Sequence, residues 1–184
     1  MKDKFTLKAK LEGYRARSAY KLISLNKKYN LIKKNDKVLD LGAFPGSWMQ
    51  VCLNLGAKVI GVDVKQIISM KDARFILGDI YETKTLRRIQ EHGKFDTVLS
   101  DLSPKTTGNL DQELSLELSK QAFEIAKLVL KRDGNFLCKI FQGQGFNEFL
   151  QELRKSFSFV KSAKPEASKM KSKEMYLICK GYKT

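Results

Sequence analysis

One histidine, one tryptophan, three prolines and three cysteines in 184 residues leave little material for several chemistries. Cys52, Cys138 and Cys179 are odd in number, far apart and set among apolar neighbours. They read as buried free thiols in a reducing compartment, not as a disulfide framework or a zinc site. His92 has no Cys or His partner at ligand spacing, so no metal centre is expected. No segment approaches the ~18 consecutive apolar residues of a membrane helix, and no basic amphipathic helix stands alone, so no membrane partner is expected. Met1–Lys10 carries charge with no apolar stretch behind it, which argues against a secretory signal. Asp3 is the only acid before Glu12, so the same pattern leaves a basic organellar presequence open. The expected location is the cytoplasm, or an organellar matrix.

Acid is scarce at both ends of the chain. Residues 1–37 hold 12 Lys/Arg against 3 Asp/Glu, and residues 154–184 hold 9 against 2, whereas 38–153 hold 14 against 15. The net charge of +15 therefore sits on two basic ends flanking a neutral middle. Such clusters attract phosphate polyanions through counterion release and long-range steering. The competing reading is a solubilising lysine-rich surface.

From Lys37 onward short apolar runs alternate with helical periodicity. Strands are predicted at Val38–Leu41, Val59–Asp63, Phe75–Asp79, Phe95–Asp101 and Asn135–Phe141. Helices are predicted at Arg15–Asn30, Ser47–Leu55, Thr83–Glu91, Asp111–Lys131 and Phe146–Lys155. Phe157–Ala163 and Met175–Cys179 have no helix between them and form an antiparallel edge hairpin. The fold class is α/β: a Rossmann-like, mostly parallel seven-stranded sheet with helices on both faces. Residues 1–184 are expected to form a single domain, with 1–14 a flexible basic segment. The loops at Gly108-Asn109 and Pro165–Lys173 are expected to be mobile.

Ligands of such sheets bind beyond the carboxyl ends of the strands. Three acids are placed there: Asp63, Asp79 and Asp101. Asp63 follows Gly42 by 21 residues, close to the ~20 expected of a carboxylate that accepts both hydroxyls of a ribose. Gly42 and Gly46 would let the backbone approach a ligand, and Trp48 is either a ligand wall or core packing. The loop Gly42-Ala43-Phe44-Pro45-Gly46 is not G-x-G-x-x-G. Three carboxylates would also repel a pyrophosphate but welcome a sulfonium cation. S-adenosyl-L-methionine fits better than NAD, and a nicotinamide-dependent dehydrogenase is disfavoured.

Five segments, in order, carry a resemblance: Arg17-Ser18-Ala19-Tyr20-Lys21-Leu22; Asp40 to Trp48; Ser100-Asp101-Leu102-Ser103-Pro104; Lys139-Ile140-Phe141-Gln142-Gly143; and Lys164-Pro165 with Ser172 to Tyr176. From about Arg17 to Tyr182 the chain resembles the FtsJ/RrmJ (RlmE) family of ribose 2′-O-methyltransferases acting on ribosomal RNA. The resemblance implies a catalytic tetrad of Lys21, Asp101, Lys139 and Glu174, with Lys139 as proton acceptor. It also implies S-adenosylmethionine contacts from Gly46, Trp48, Asp63, Asp79 and Asp101. The implied target is a uridine in the A-loop of large-subunit rRNA within the ribosomal subunit, met by a monomer without metal. Phe44 is bulkier than the small residue of that loop position, and Ser47 replaces a glycine. Alternatives are the same chemistry on tRNA, or a non-catalytic RNA-binding assembly factor.

A lysine serves as a base only as the neutral amine. Burial and a second ammonium favour that form, while neighbouring carboxylates favour the charged one. The residue set alone leaves open which pull prevails. Lys21 and Glu174 belong one to each basic end, so the two patches are expected to flank one site. Arg15, Arg17, Lys27, Lys28, Lys33 and Lys34 from one end, and Lys161, Lys164, Lys169, Lys171 and Lys173 from the other, would then grip phosphates. Gln142-Gly143-Gln144-Gly145 is expected to touch RNA backbone.

Overall fold

A computed structural model describes residues 4–104, 110–168 and 172–183. Seven strands form one sheet: β1 (Lys37–Leu41), β2 (Lys58–Asp63), β3 (Ala73–Leu77), β4 (Phe95–Ser100), β5 (Leu130–Phe141), β6 (Phe157–Ala163) and β7 (Glu174–Tyr182). Their order is β3-β2-β1-β4-β5-β7-β6. The first five are parallel, and β7 pairs antiparallel with both β5 and β6. This is the expected mostly parallel sheet, and the closing hairpin enters it with β7 inside and β6 at the edge. Helices α1 (Lys4–Leu11), α2 (Ala19–Tyr29), α3 (Ser47–Asn54), α4 (Thr83–Glu91), α5 (Asp111–Val129) and α6 (Phe146–Ser156) complete the fold.

The period-2 pleat divides each strand between two cores. Leu39, Leu41, Val98, Phe136 and Cys138 face α4, α5 and α6, where Phe123 packs against Phe136, Phe149 and Phe157 at centroid separations of 5.8–6.1 Å. Val38, Leu99, Leu137, Tyr176 and Ile178 face α2 and α3, against Leu22, Trp48 and Met49. Strand runs that are apolar at nearly every position follow from having both faces covered. All three cysteines are buried and unbridged.

Sequence and structure part at three places. Lys4–Leu11, expected to be flexible, is helical; Ala9 is buried with Tyr20 and Ala167, and Tyr20 donates its hydroxyl to Glu12 (2.8 Å). The helix predicted through Lys131 ends at Val129, because Leu130 already pairs with Phe95. Residues 131–134 then form an irregularity, with Asp133 at φ +61°, before pairing resumes at Asn135. The helix predicted from Arg15 begins only at Ala19. It stops at left-handed Asn30, where the Asn26 side chain accepts the amides of Leu31 and Ile32. Gly108-Asn109, Lys169 and Lys171 lie outside the described residues.

Candidate active site

The sheet's carboxyl rim carries two adjoining features, a cleft and a charged cluster. The cleft, of about 380 Å³, lies over the ends of β2, β3 and β4 and is lined by Asp63, Asp79, Ile80, Tyr81, Leu102 and Leu118 among others. Its carboxylates are set by their own loops. Asp63, the last residue of β2, accepts the amides of Phe44 (2.9 Å) and Lys65 (2.8 Å). Asp79, two residues beyond β3, accepts the amide of Tyr81 (3.1 Å). Tyr81 leans over the cleft and donates to Glu117 (3.3 Å).

The glycines of the 42–46 loop serve the protein's own packing. Gly42 (φ +78°) has no room for a side chain because a Cβ would meet Leu102 at 3.0–3.2 Å. At Gly46 (φ +103°) a Cβ would meet Met70 at 2.7 Å and the Arg15 guanidinium at 2.8 Å. The crowding at these two positions is therefore with the protein's own atoms. Arg15 donates to the carbonyls of Pro45, Ile68 and Ser69, and Arg17 donates to that of Ala167. Both guanidiniums are hydrogen-bonded to backbone carbonyls, contacts that hold the walls of the rim.

Trp48 does not line this cleft. It is 2% exposed, its indole donates to the Ser18 carbonyl (2.9 Å), and its ring lies 5.9 Å from that of Tyr176. Of the two readings open for it, the structure shows core packing, between α2 and β7 beneath the charged cluster. Ser47, which stands where the family loop has a glycine, is buried and hydrogen-bonded to Ser18 (2.7 Å), joining the starts of α2 and α3.

The cluster gathers Lys21, Asp101, Lys139 and Glu174 from α2, the end of β4, β5 and the start of β7. Lys21 reaches both carboxylate oxygens of Glu174, at 2.7 and 2.9 Å. Lys139, only 6% exposed, donates to the Asp101 carbonyl at 2.9 Å and lies 3.4 Å from its carboxylate. The strand register explains the meeting: Lys139 pairs with Tyr176 and Phe141 with Glu174, so Lys139, Tyr176 and Glu174 share the α2-facing side. Asp101 follows β4 on that same side and turns to Lys139 and Tyr176. Only Asp63 and Asp79 of the three expected acids line the cleft.

Three participants carried no assigned role in the sequence reading. The Tyr176 hydroxyl donates to Asp101 Oδ1 (2.7 Å) and joins the two lysine–carboxylate pairs, with the Lys21 ammonium 5.7 Å from its ring. Burial, then the nearby Asp101 and Glu174 charges, raise the Tyr176 phenol well above its ordinary range, so it stays a proton donor. Ser168 donates to Glu174 (2.8 Å). Ser119 donates to the Lys139 carbonyl (2.8 Å), tying the strand to α5. Tyr176 lies two residues from Glu174 on one strand face, a spacing that flags it; Ser119 and Ser168 carry no local signal.

Asp40 lies beneath the rim, fully buried, with neither carboxyl oxygen hydrogen-bonded among the described residues. Burial, then the charges of Asp101 and Asp63, push its pKa well up, which favours the neutral acid.

An FtsJ-like methyltransferase family model matches residues 14–182. The chain is 45% identical to the ribosomal RNA large subunit methyltransferase E of Archaeoglobus fulgidus, over 98% of this chain and 96% of that protein. It is 40% identical to the enzyme of the same name from the Wolbachia of Brugia malayi, over 99% and 85%. The structure of a ribosomal RNA methyltransferase from Plasmodium falciparum superposes with a TM-score of 0.81 at 33% identity, covering 92% of this chain and 98% of that one. With the sheet order and the rim described above, the chain belongs to the FtsJ-like methyltransferase family.

Proposed function

We propose that this protein transfers a methyl group from S-adenosylmethionine to a ribose 2′-hydroxyl of large-subunit ribosomal RNA, in the cytoplasm. The observation that carries the reading is the convergence of Lys21, Asp101, Lys139 and Glu174, from four separate elements, beside a cleft with two strand-end carboxylates. The cleft fits an adenosine in kind. Asp63 and Asp79 offer acceptors for ribose hydroxyls, and Ile80, Leu102 and Leu118 offer apolar walls for a base. When bound there, S-adenosylmethionine supplies an electrophilic methyl group.

The chain's own residues would position a weak nucleophile and remove its proton. Lys139, as the neutral amine, takes the proton of the 2′-hydroxyl. It is nearly buried, donates to the Asp101 carbonyl and lies 3.4 Å from the Asp101 carboxylate. Tyr176 occupies one oxygen of Asp101 and fixes that carboxylate's orientation. Lys21 and Glu174, locked two-pronged, form a charged wall that orients the ribose. The relatives' printed names point to rRNA, and the basic flanks suit a phosphate backbone. A uridine of the A-loop is the specific target implied by the family resemblance.

The test is methyl transfer from labelled S-adenosylmethionine to large ribosomal subunits, with ribose methylation mapped by nucleotide. One new 2′-O-methyl group in the large-subunit rRNA is expected. Full activity in Lys139→Ala, or methylation confined to tRNA, would overturn the assignment.

A further inference from the structure

Beyond the tetrad, the rim opens into a second cleft of about 490 Å³, lined by Gln112, Gln142, Gly143, Phe146, Asn147 and Lys173. It lies between the amino ends of α5 and α6 and continues the β5–β7 ladder. The Gln142 amide donates to the Lys173 carbonyl (3.2 Å), one step past the Phe141–Glu174 pair. Gln142 is three strand residues beyond Lys139, roughly 10 Å at the usual rise, and Lys173 directly precedes Glu174. The cleft is therefore about one nucleotide from the proposed reacting centre.

Its chemistry is unlike that of the basic flanks. Three carboxamides line it, each with donors and an acceptor. None of their side chains has a hydrogen-bond partner among the described residues. Gln112 is seated by the turn below it: a Cβ on Gly143 would lie 2.3 Å from its Oε1. The backbone there is anchored, because Ser115 accepts the Phe141 amide (2.9 Å) and Phe146 is buried as a floor. A phosphate presents only acceptors and calls for cations, of which the described residues of the lining offer one, Lys173. A nucleobase edge presents both donors and acceptors, the complement of a carboxamide.

We propose that this cleft binds the base of an RNA nucleotide at or next to the methylated ribose, read by Gln112, Gln142 and Asn147 with Lys173 on the adjoining phosphate. The inference rests on the RNA methyltransferase reading and names its base-recognition subsite. It replaces the expected backbone contact of residues 142–145 with a contact to a base edge.

The test uses the full chain and large-subunit rRNA substituted with 4-thiouridine. Photocrosslinks are mapped on the protein, and methyl transfer is measured in the same samples. Crosslinks within residues 142–147 are expected. Gln142→Ala and Asn147→Ala should raise the KM for RNA roughly tenfold or more, narrow the discrimination between bases near the target, and leave S-adenosylhomocysteine affinity unchanged. Crosslinks in this cleft without methyl transfer would keep the subsite and sink the enzymatic reading. Methyl transfer with no crosslink there, and with KM and base preference unaltered in both variants, would sink the subsite alone. A loss equal for all sequences, with a salt slope reduced by about one, would make the occupant a phosphate and overturn the proposal.

Discussion

The rim holds two lysine–carboxylate pairs of the same chemical composition and different construction. Lys21 and Glu174 are 13% and 12% exposed and meet through both carboxylate oxygens. Lys139 and Asp101 are 6% and 18% exposed, their charged atoms are 3.4 Å apart, and the ammonium's shorter contact is to a backbone carbonyl. One oxygen of Asp101 is already bonded to the Tyr176 phenol. The first pair is a clasp, joining α2 to β7 across 153 residues of sequence. The second leaves its amine within reach of a hydrogen-bonding partner and short of full charge pairing. Composition cannot distinguish the two pairs; under the proposed function one positions the substrate and the other removes its proton.

The largest expected effect separates them directly. Lys139→Ala should lower the single-turnover rate of methyl transfer by about 10²–10⁴, the usual range for a general base. S-adenosylhomocysteine binding, followed by calorimetry, should stay intact. Lys21→Ala should also slow transfer, but its distinguishing mark is thermodynamic. It strands the Glu174 carboxylate with Ser168 as its hydrogen-bonding side chain, and loss of one partner of a largely buried pair costs about 3 kcal/mol. Urea denaturation should therefore rank Lys21→Ala as the less stable variant, and the rate assay should rank Lys139→Ala as the slower. The reverse order in both assays would exchange the two roles.

Tyr176→Phe probes the link between the pairs with a smaller effect. It removes the 2.7 Å hydrogen bond to Asp101 while keeping the ring against Trp48 and the Lys21 ammonium. A hydrogen bond to a charged group contributes about 1.5–3 kcal/mol. Asp101 freed of the phenol should lose its fixed orientation, and methyl transfer should slow, by less than in Lys139→Ala. An unchanged rate of methyl transfer would restrict Tyr176 to packing.

The comparison also shows where sequence runs out. The parallel sheet was legible because each strand is a short apolar run bounded by glycine or an acid, as at Val59–Asp63. The cleft acids were legible because Asp63 and Asp79 are strand-end residues held by amides within their own loops. The tetrad was legible through segment resemblance, since no periodicity on α2 places Lys21 opposite a strand residue far along the chain. Ser119 and Ser168 were illegible because each acts on a distant partner without any local pattern. The carbonyl contacts of Arg15 and Arg17 were illegible because charge counting does not show which guanidinium groups are bonded within the protein. The end of α5 was misread because Leu130 is drawn into pairing with Phe95, a tertiary effect that helix propensity does not contain.

Asp40 extends the comparison to an acid with no hydrogen-bond partner among the described residues. Its acidity is suppressed in the folded state by burial and then by the Asp101 and Asp63 charges. Such a group supports the fold fully below its unfolded value, near pH 4, and that support is lost as pH rises toward its higher folded value. Asp40→Asn, nearly isosteric and never charged, should match the wild type near pH 3. Above pH 4 it should gain on the wild type by about 1.4 kcal/mol per pH unit until the buried carboxyl ionises. Urea midpoints of the ligand-free protein at pH 3, 5 and 7 measure this. A constant difference between variant and wild type would mean that Asp40 is ionised and has a partner.

The smallest effect belongs to a third pair at the opposite pole, which serves as the solvent-screened reference. Lys131 meets Asp96 at 2.7 Å, as close as Lys21 meets Glu174, but the two side chains are 48% and 29% exposed. Burial tends to raise the Asp96 pKa, yet the Lys131 hydrogen bond and the Lys37 amide (2.8 Å) outweigh it and hold the carboxyl below its ordinary range. With the sign opposite to that of Asp40, its contribution is present above pH 4 and lost as pH falls through the depressed folded value. Asp96→Asn should cost no more than about 1 kcal/mol at pH 7, and less in 1 M salt, because exposed pairs are screened. By pH 2 the difference should shrink toward zero. Equal distance with unequal consequence would show that burial and the second contact, not ion-pair length, set the strength of the Lys21–Glu174 clasp. A loss at pH 7 as large as that of Lys21→Ala would dissolve the distinction between the two poles.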